Sequence, residues 1–339
     1  MDVNKSERAV TLKDIAEASG VSISTVSRIL DDRYPPSQTE NAVRVRRIAE
    51  QLGYRRNVYA SGLRRRESGL IGVLVPRLTD AVMSLMFEAI ERAARSRGMF
   101  AIVSTCGDDA DSQAEVVESL LDRNVDGIIL ATARVDDAIP ERLRQRRLPH
   151  VLVLRSDNAS PTVTGDDVLG GYLAARHLID LGHTNIAVVT GPTFTSSAHG
   201  RVNGARRALT EASLDLPNDN IIFTGYGIEA GEDAAKELLN RENRPTAIFA
   251  ANDNLAIGVA HYAAQLDIKL GPDLSIVGYN DIPLVEKLSV PLTSVRVPFD
   301  HIAEKAVDML REENPHSATT SFIPTLIPRK STARPRGKS

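Results

Sequence analysis

The 339-residue chain contains a single cysteine, Cys106, which excludes an internal disulfide and fits a reducing compartment. No apolar run approaches the length of a membrane span. The opening residues, Met1-Asp-Val-Asn-Lys-Ser-Glu-Arg8, lack the apolar core of an export signal. A cytoplasmic protein with no membrane partner is therefore expected. Phosphate-binding and catalytic signatures are also missing: there is no GxGxxG, no Walker loop and no GxSxG elbow. The seven histidines show no metal-ligand spacing. No cofactor, no metal and no enzymatic activity are expected from such a chain. What is present is ordinary in bulk, 42% hydrophobic and 25% charged, and long enough for two or three domains. Charge is unevenly placed, however. Residues 1–68 carry 13 Lys/Arg against 9 Asp/Glu, and the rest carries 28 against 35. Within 44–66 there are eight arginines and one acid, Glu50. A basic head on an acidic body suggests that the head meets a polyanion while the body does something else.

The head opens on Thr11-Leu-Lys-Asp-Ile-Ala, in which Thr11 and Asp14 have the spacing of a capping box. Leu12, Ile15 and Ala16 follow at helical spacing, and Gly20 is placed to end the helix with a positive φ. Ser22 can cap a second helix carrying Ile23, Ser24, Thr25, Ser27 and Arg28. Two short helices joined by a glycine-containing turn make a helix-turn-helix, and a face of small hydroxyls with one guanidinium can lie close in a major groove. An ordinary helical hairpin with a solvated face fits this window equally well. After Pro35-Pro36, Ser37 and Glu40 form a second candidate capping box. Val45, Ile48, Ala49 and Leu52 then repeat helically up to Gly53. This third helix should close a small core, with Arg44, Arg46 and Arg47 outward and suited to phosphate contact. Residues 57–66 are too short and polar to fold alone. They read either as a basic linker or as a segment that orders on DNA, with Leu63 as a minor-groove wedge.

From Leu70 the pattern changes to apolar runs alternating with helical stretches. Strands are expected at 70–75, 100–104, 126–131, 150–154, 186–190, 221–223, 246–250 and 274–279. Helices are expected at 82–97, 111–122, 137–146, 169–181, 198–212, 229–239 and 254–264. Continuous Val/Ile/Leu strands between helices imply parallel sheets covered on both faces, and the pattern runs through twice, giving two doubly wound lobes. Ligands of such sheets bind beyond the carboxyl ends of strands. Asn252 and Asn280 stand there as candidate ligand contacts, Asp253 as a helix cap, and Arg201 as either a surface arginine or a bidentate grip on ligand oxygens.

The chain resembles the LacI/GalR family of transcriptional regulators over nearly its whole length. The resemblance is carried by Thr11-Leu-Lys-Asp-Ile-Ala, Gly20-Val-Ser, Thr25-Val-Ser-Arg28, Leu52-Gly-Tyr54, Asn57, and Ala60 with Leu63. In the body it is carried by Ile71-Gly-Val-Leu-Val-Pro76, Arg201-Val-Asn-Gly204, the run Pro245 to Asp253 and the run Ser275 to Pro283. It implies an all-α helix-turn-helix head on an α/β body of two parallel-sheet lobes like those of type I periplasmic binding proteins. It also implies a homodimer on double-stranded operator DNA and a small-molecule effector, such as a sugar, polyol or nucleoside, held between the lobes. Repression is the default mode. DNA contacts would come from Thr11, Ser22, Ile23, Ser24, Thr25 and Arg28, and from Asn57, Ala60 and Leu63 in a hinge. Effector contacts would come from Asp166, Arg201, Tyr226, Asn252 and Asn280. The implied organisation is a DNA-binding domain over 1–55, a hinge and linker over 56–68, and one lobe over 69–165 plus about 298–324. A second lobe over 166–297 plus about 325–331 and a disordered basic tail over 332–339 complete it. The chain departs from the family where an effector is gripped: Asp80-Ala-Val-Met83 has no aromatic ring, Leu154 stands where aspartate is frequent, and Asn280 where aspartate is common. The rival readings are an enzyme or a non-regulatory sugar-binding protein on the same fold. Absent motifs weigh against the first, the basic head against the second.

Overall fold

A computed structural model describes residues 10–31, 35–54, 68–135, 138–312 and 319–336. The chain divides into two units, Met1–Ser68 and Gly69–Ser339. In the first, α1 (Leu12–Ser19), α2 (Ile23–Ile29) and α3 (Glu40–Gln51) pack around Ile15, Val26 and Val45, all three fully buried. The expected capping box at α1 forms: the Thr11 hydroxyl accepts from Asp14 N–H, and the Asp14 carboxylate accepts from Thr11 N–H at 2.7 Å. Gly20 takes φ 68°, a left-handed conformation that costs a side-chain-bearing residue free energy, and so turns the chain into α2. Ser22 caps α2 by accepting from Thr25 N–H at 3.2 Å. The capping box expected from Ser37 and Glu40 does not form. Helix α3 starts at Glu40 with Thr39 as its cap residue, so Glu40 is the first helical position and not the third, too early to reach back. The Ser37 hydroxyl instead accepts from Thr39 N–H.

The second unit alternates strand and helix. In chain order its elements are β1 (Leu70–Val75), α4 (Ala81–Ser96), β2 (Phe100–Thr105), α5 (Ala110–Leu121), β3 (Gly127–Leu130), α6 (Ala138–Gln145), β4 (His150–Val153) and β5 (Thr162–Gly165). There follow α7 (Asp167–Asp180), β6 (Ile186–Thr190), α8 (Ser196–Glu211), β7 (Ile221–Phe223), α9 (Ile228–Leu239), β8 (Ala247–Ala250), α10 (Asp253–Gln265) and β9 (Ser275–Asn280). The last four are β10 (Thr293–Arg296), α11 (Phe299–Leu310), β11 (Thr319–Phe322) and β12 (Thr325–Ile327). Two six-stranded sheets result, ordered β2-β1-β3-β4-β5-β11 and β7-β6-β8-β9-β10-β12, parallel throughout except for the antiparallel edge strand β12. Their inner strands β1, β3, β4, β6, β8 and β9 are buried along their full length, as continuous apolar runs between helix layers require.

The chain crosses between the sheets three times: after β5, between β10 and α11, and between β11 and β12. Helix α11 packs on α4, where the Arg97 guanidinium donates to Asp308 from Nε at 2.6 Å and Nη2 at 2.8 Å. In the other lobe α7 and α8 touch through glycines. A Cβ on Gly204 would lie 1.9 Å from the Val168 carbonyl oxygen, and one on Gly171 would lie 2.0 Å from that of Arg201. The stretch expected to run loose from Thr332 is tied down as far as Arg336. Thr332 meets the His177 ring at 2.9 Å, the Ala333 carbonyl meets His183, and Arg336 pairs with Asp273 at 2.7 Å. The physical reason is that buried Ser275 and His183 need those backbone groups as hydrogen-bond partners.

Candidate functional site

Two surfaces collect the candidate residues. The first is the outward side of α2. Ile23 is 45% exposed, although it is large and apolar and begins a helix whose other hydrophobic members turn inward. Beside it Ser22, Ser24 and Arg28 are exposed and Thr25 is half-buried. The Ser22 hydroxyl shares hydrogen bonds of 2.8 Å with those of Ser24 and Thr25, which holds a strip of short polar groups against the first turn. Thr11 is exposed at the start of α1. Arg44 and Arg47 are exposed on α3, and Arg46 donates to the Ser37 carbonyl. Asn57, Ala60 and Leu63 lie outside the described residues.

The second surface lies where the carboxyl ends of the strands in the two sheets approach each other. In each sheet the order reverses at the first strand, between β1 and β3 and between β6 and β8, and ligands of doubly wound sheets bind at such switch points. Hydrogen bonds link the lobes there. Val135 N–H donates to the Phe194 carbonyl at 3.0 Å, Ser156 N–H to the Ser196 hydroxyl at 2.8 Å, and the Asn254 amide to Asp80 at 3.5 Å. Arg134 lies over the Phe194 ring, 3.9 Å from its centroid. Asp80 caps α4 through Val82 N–H and is buried, which pushes its carboxyl up against the pull of Val82 N–H and the Arg77 charge.

Arg201, on α8, is buried and committed to protein partners. Its Nε donates to Asp167 at 2.8 Å, its Nη1 donates to the Ala251 carbonyl, and its guanidinium stacks 3.8 Å from the centre of the Tyr279 ring. Burial works against the charge, but Asp167 beside it raises Arg201 above its ordinary range, so the guanidinium stays protonated. Asp167 also accepts from the Tyr279 hydroxyl at 3.3 Å. Asp166, its neighbour, is half-buried and caps α7 by accepting from Leu169 N–H at 2.8 Å.

Tyr226 follows β7. Its hydroxyl is shared with those of Thr195 and Ser197 at 3.1 Å each, and its ring lies where a Cβ on Gly191 would stand 2.0 Å away, so glycine alone admits it. Asn252 is buried and caps α10, accepting from Leu255 N–H at 2.8 Å and donating to the Tyr226 carbonyl at 3.1 Å. The cap assigned to Asp253 from the sequence is thus Asn252's. Asp253 instead points into the lobe, fully buried, accepting from the Ser294 hydroxyl at 2.6 Å and Ile282 N–H at 2.8 Å. Burial pushes its carboxyl up to about 7. Asn280, at the end of β9, is 5% exposed and held at φ 98°, and Asp281 follows at φ 56°. Arg296 and Arg329 clamp Asp281 at 2.7 Å and 2.6 Å, which fixes this strained corner.

The structure therefore brings Arg201, Tyr226, Asn252 and Asn280 to one end of the second sheet, with Asp166 and Asp167 at the base of α7. Sequence reasoning missed Thr195, Ser197 and Arg155. Arg155, 5% exposed, sits with its guanidinium carbon 5.7 Å from the Tyr226 ring centre. A charged residue directly behind the apolar run of β4 is the signal that points to it.

A helix-turn-helix unit preceding two doubly wound lobes, with polar side chains gathered where their strands end, is the build of a DNA-binding regulator with a binding-protein body. Comparison with known proteins agrees. Residues 11–57 match the family model "Bacterial regulatory proteins, lacI family", and residues 175–332 match the "Periplasmic binding protein-like domain". The ribose operon repressor of Escherichia coli (strain K12) is 32% identical over 305 residues, covering 88% of this chain and 92% of that repressor. The transcriptional regulator DegA of Bacillus subtilis (strain 168) is 34% identical over 293 residues, covering 85% and 86%. Among solved structures, the lac repressor dimer bound to operator and the anti-inducer ONPF superposes with a TM-score of 0.85 at 27% identity, over 96% of this chain and 100% of that one. The chain belongs to the LacI family of bacterial transcriptional regulators.

Proposed function

We propose that this regulator binds a pseudopalindromic operator as a homodimer, with α2 of each protomer in a major groove. The observation that carries the reading is Ile23, a large exposed apolar residue set among the hydroxyls of Ser22, Ser24 and Thr25 and beside Arg28. Such a face is suited to thymine methyl groups and base edges, while Thr11 and the arginines of α3 suit phosphates. Asn57, Ala60 and Leu63 are assigned to a minor-groove hinge on the family pattern. A small polar effector would occupy the cleft, meeting Asp166, Arg201, Tyr226, Asn252 and Asn280. Its unequal affinity for the two lobe arrangements would shift operator affinity. The relatives are transcriptional regulators, and the cleft holds no nucleophile–base pair among the described residues, which favours a binding role over catalysis.

The test is fluorescence anisotropy with an operator selected from random DNA by the full-length protein. Arg28→Ala is expected to reduce the preference for that operator over scrambled DNA by one to two orders of magnitude, as expected for a base contact worth ~1–3 kcal/mol. A loss of equal size on both DNAs would make Arg28 a phosphate contact, and no loss on either would remove α2 from the interface.

A further inference from the structure

Of the arginines at the cleft, Arg155 alone has no hydrogen bond or ion pair among the described residues. Arg77 pairs with Asp108, Arg134 lies over Phe194, and Arg201 is held by Asp167. Arg155 is 5% exposed, yet among the described residues its guanidinium donates no hydrogen bond and meets no carboxylate at ion-pair distance. Burial lowers its hold on the proton, while Tyr226, Asp108 and Asp80 support the charge only from farther off and Arg201 opposes it. A buried guanidinium with its donors unused is costly, and proteins retain such groups where something else meets them.

The surroundings favour negative charge. Ser156, next in the chain, donates to the Ser196 hydroxyl in the first turn of the sixteen-residue helix α8. The Tyr226 ring beneath the guanidinium is bonded through its hydroxyl to Thr195 and Ser197 at the same helix start. Thr195, the cap residue, gives α8 no capping bond, because its hydroxyl is turned to the Pro192 carbonyl and Tyr226. An uncapped helix N-terminus carries partial positive charge and free amide donors. Here it lies beside an unpaired buried cation, and two independent features converge on one kind of group.

We propose that the effector carries an oxyanion, either carboxylate or phosphate, which Arg155 receives beside the N-terminus of α8. Hydroxyls of the same molecule are then left to Asp80 and Asn280. This rests on the reading of the cleft as the effector site. The ligand class is a sugar acid, a polyol acid or a phosphorylated sugar, in place of a neutral hexose or purine. Leu154 and Ala81-Val-Met83 agree with it: Leu154 puts no acid directly beside Arg155 in the chain, and Ala81-Val-Met83 offers no ring to stack on a neutral sugar.

The experiment is calorimetric titration and thermal unfolding of the full-length protein with matched triplets: ribose, ribonate and ribose 5-phosphate; glucose, gluconate and glucose 6-phosphate. One acid or phosphate is expected to bind at least tenfold more tightly than its neutral parent, and the member that does so distinguishes carboxylate from phosphate. Arg155→Met should abolish the preference, and Arg155→Lys, which keeps a point charge without the fork, should retain part of it. Ligand-free Arg155→Met should also melt at least 2 °C above the wild type, because it removes a buried unpaired charge. A neutral parent binding as tightly as its anions, or a preference surviving in Arg155→Met, would overturn the proposal and leave the cleft reading in place. Ligand-free Arg155→Met melting below the wild type would overturn it as well, making the arginine structural. If no member of either triplet binds the wild type or alters operator affinity, the cleft reading fails and the proposal with it.

Discussion

Removing the carboxylate of Asp167 tests whether the base of the cleft is held by a buried ion pair. Asp167 and Arg201 are 15% and 8% exposed at their side chains and 2.8 Å apart. Asp167→Asn leaves a neutral oxygen for the Tyr279 hydroxyl but strips the guanidinium of its counter-charge. Breaking a buried pair from one side costs about 3–5 kcal/mol, because the surviving charge is stranded in low dielectric. The Tyr279 face at 3.8 Å from Arg201 offsets part of that, by about 1–2 kcal/mol for a desolvated cation over a ring. A net loss of roughly 2–3 kcal/mol is expected, which for a body of this size corresponds to a fall in Tm of about 5–10 °C. Urea unfolding followed by circular dichroism measures the free energy, and a thermal melt of the full-length protein checks it. The double variant Asp167→Asn/Arg201→Met should lose less than the two single variants together, with a coupling of at least ~1 kcal/mol. A loss from Asp167→Asn under ~0.5 kcal/mol, or strictly additive single effects, would refute the reasoning, since a pair that exchanges with water is worth about that little.

Asp253 sets a pH dependence of definite sign. Its folded-state carboxyl is pushed up to about 7 from an ordinary 3.8. Between those values the native state therefore holds a proton that the unfolded state has released, so stability falls as pH rises from about 4 to 7, by up to roughly 4 kcal/mol from this group. Asp253→Asn should flatten that slope in urea unfolding at graded pH, and parallel slopes for variant and wild type would contradict the assignment. Gly204→Ala drives a Cβ to 1.9 Å from the Val168 carbonyl, so α7 and α8 must separate. We expect a loss of about 2–3 kcal/mol, the upper part of the range for overpacking, measured by the same unfolding assay, and a neutral substitution would show that the two helices slide freely. If Leu63 is the proposed minor-groove wedge, Leu63→Ala should weaken operator binding by tenfold or more in anisotropy titrations while leaving the melt unchanged; equal operator affinity would count against a wedge.

The head was legible in sequence because its structure is local. The capping pairs of α1 and α2 act across three residues, and the left-handed turn at Gly20 depends on a missing Cβ. Strands β1, β3, β4, β6, β8 and β9 were legible because burial on both faces demands a continuous apolar run, whereas β5, Thr-Val-Thr-Gly, is inner but too polar to show one. The later strands β10, Thr-Ser-Val-Arg, and β11, Thr-Thr-Ser-Phe, carry no such run: β10 buries the hydroxyl residues Thr293 and Ser294, and β11 is an edge strand only partly covered. The Asn252–Asp253 pair shows the limit sharply. Both residue types cap helices well, and only the partner waiting at Ser294, 41 positions on, decides that the second one turns inward. Residue type and short-range spacing determined the head helices, the apolar strands and the loops that follow them, but not β5, β10, β11, β12 or α11. The fold alone decided that Arg201 has a counter-charge and Arg155 has only a ring beside it, because the carboxylate that answers one guanidinium arrives from 34 residues away, and among the described residues none pairs with the other.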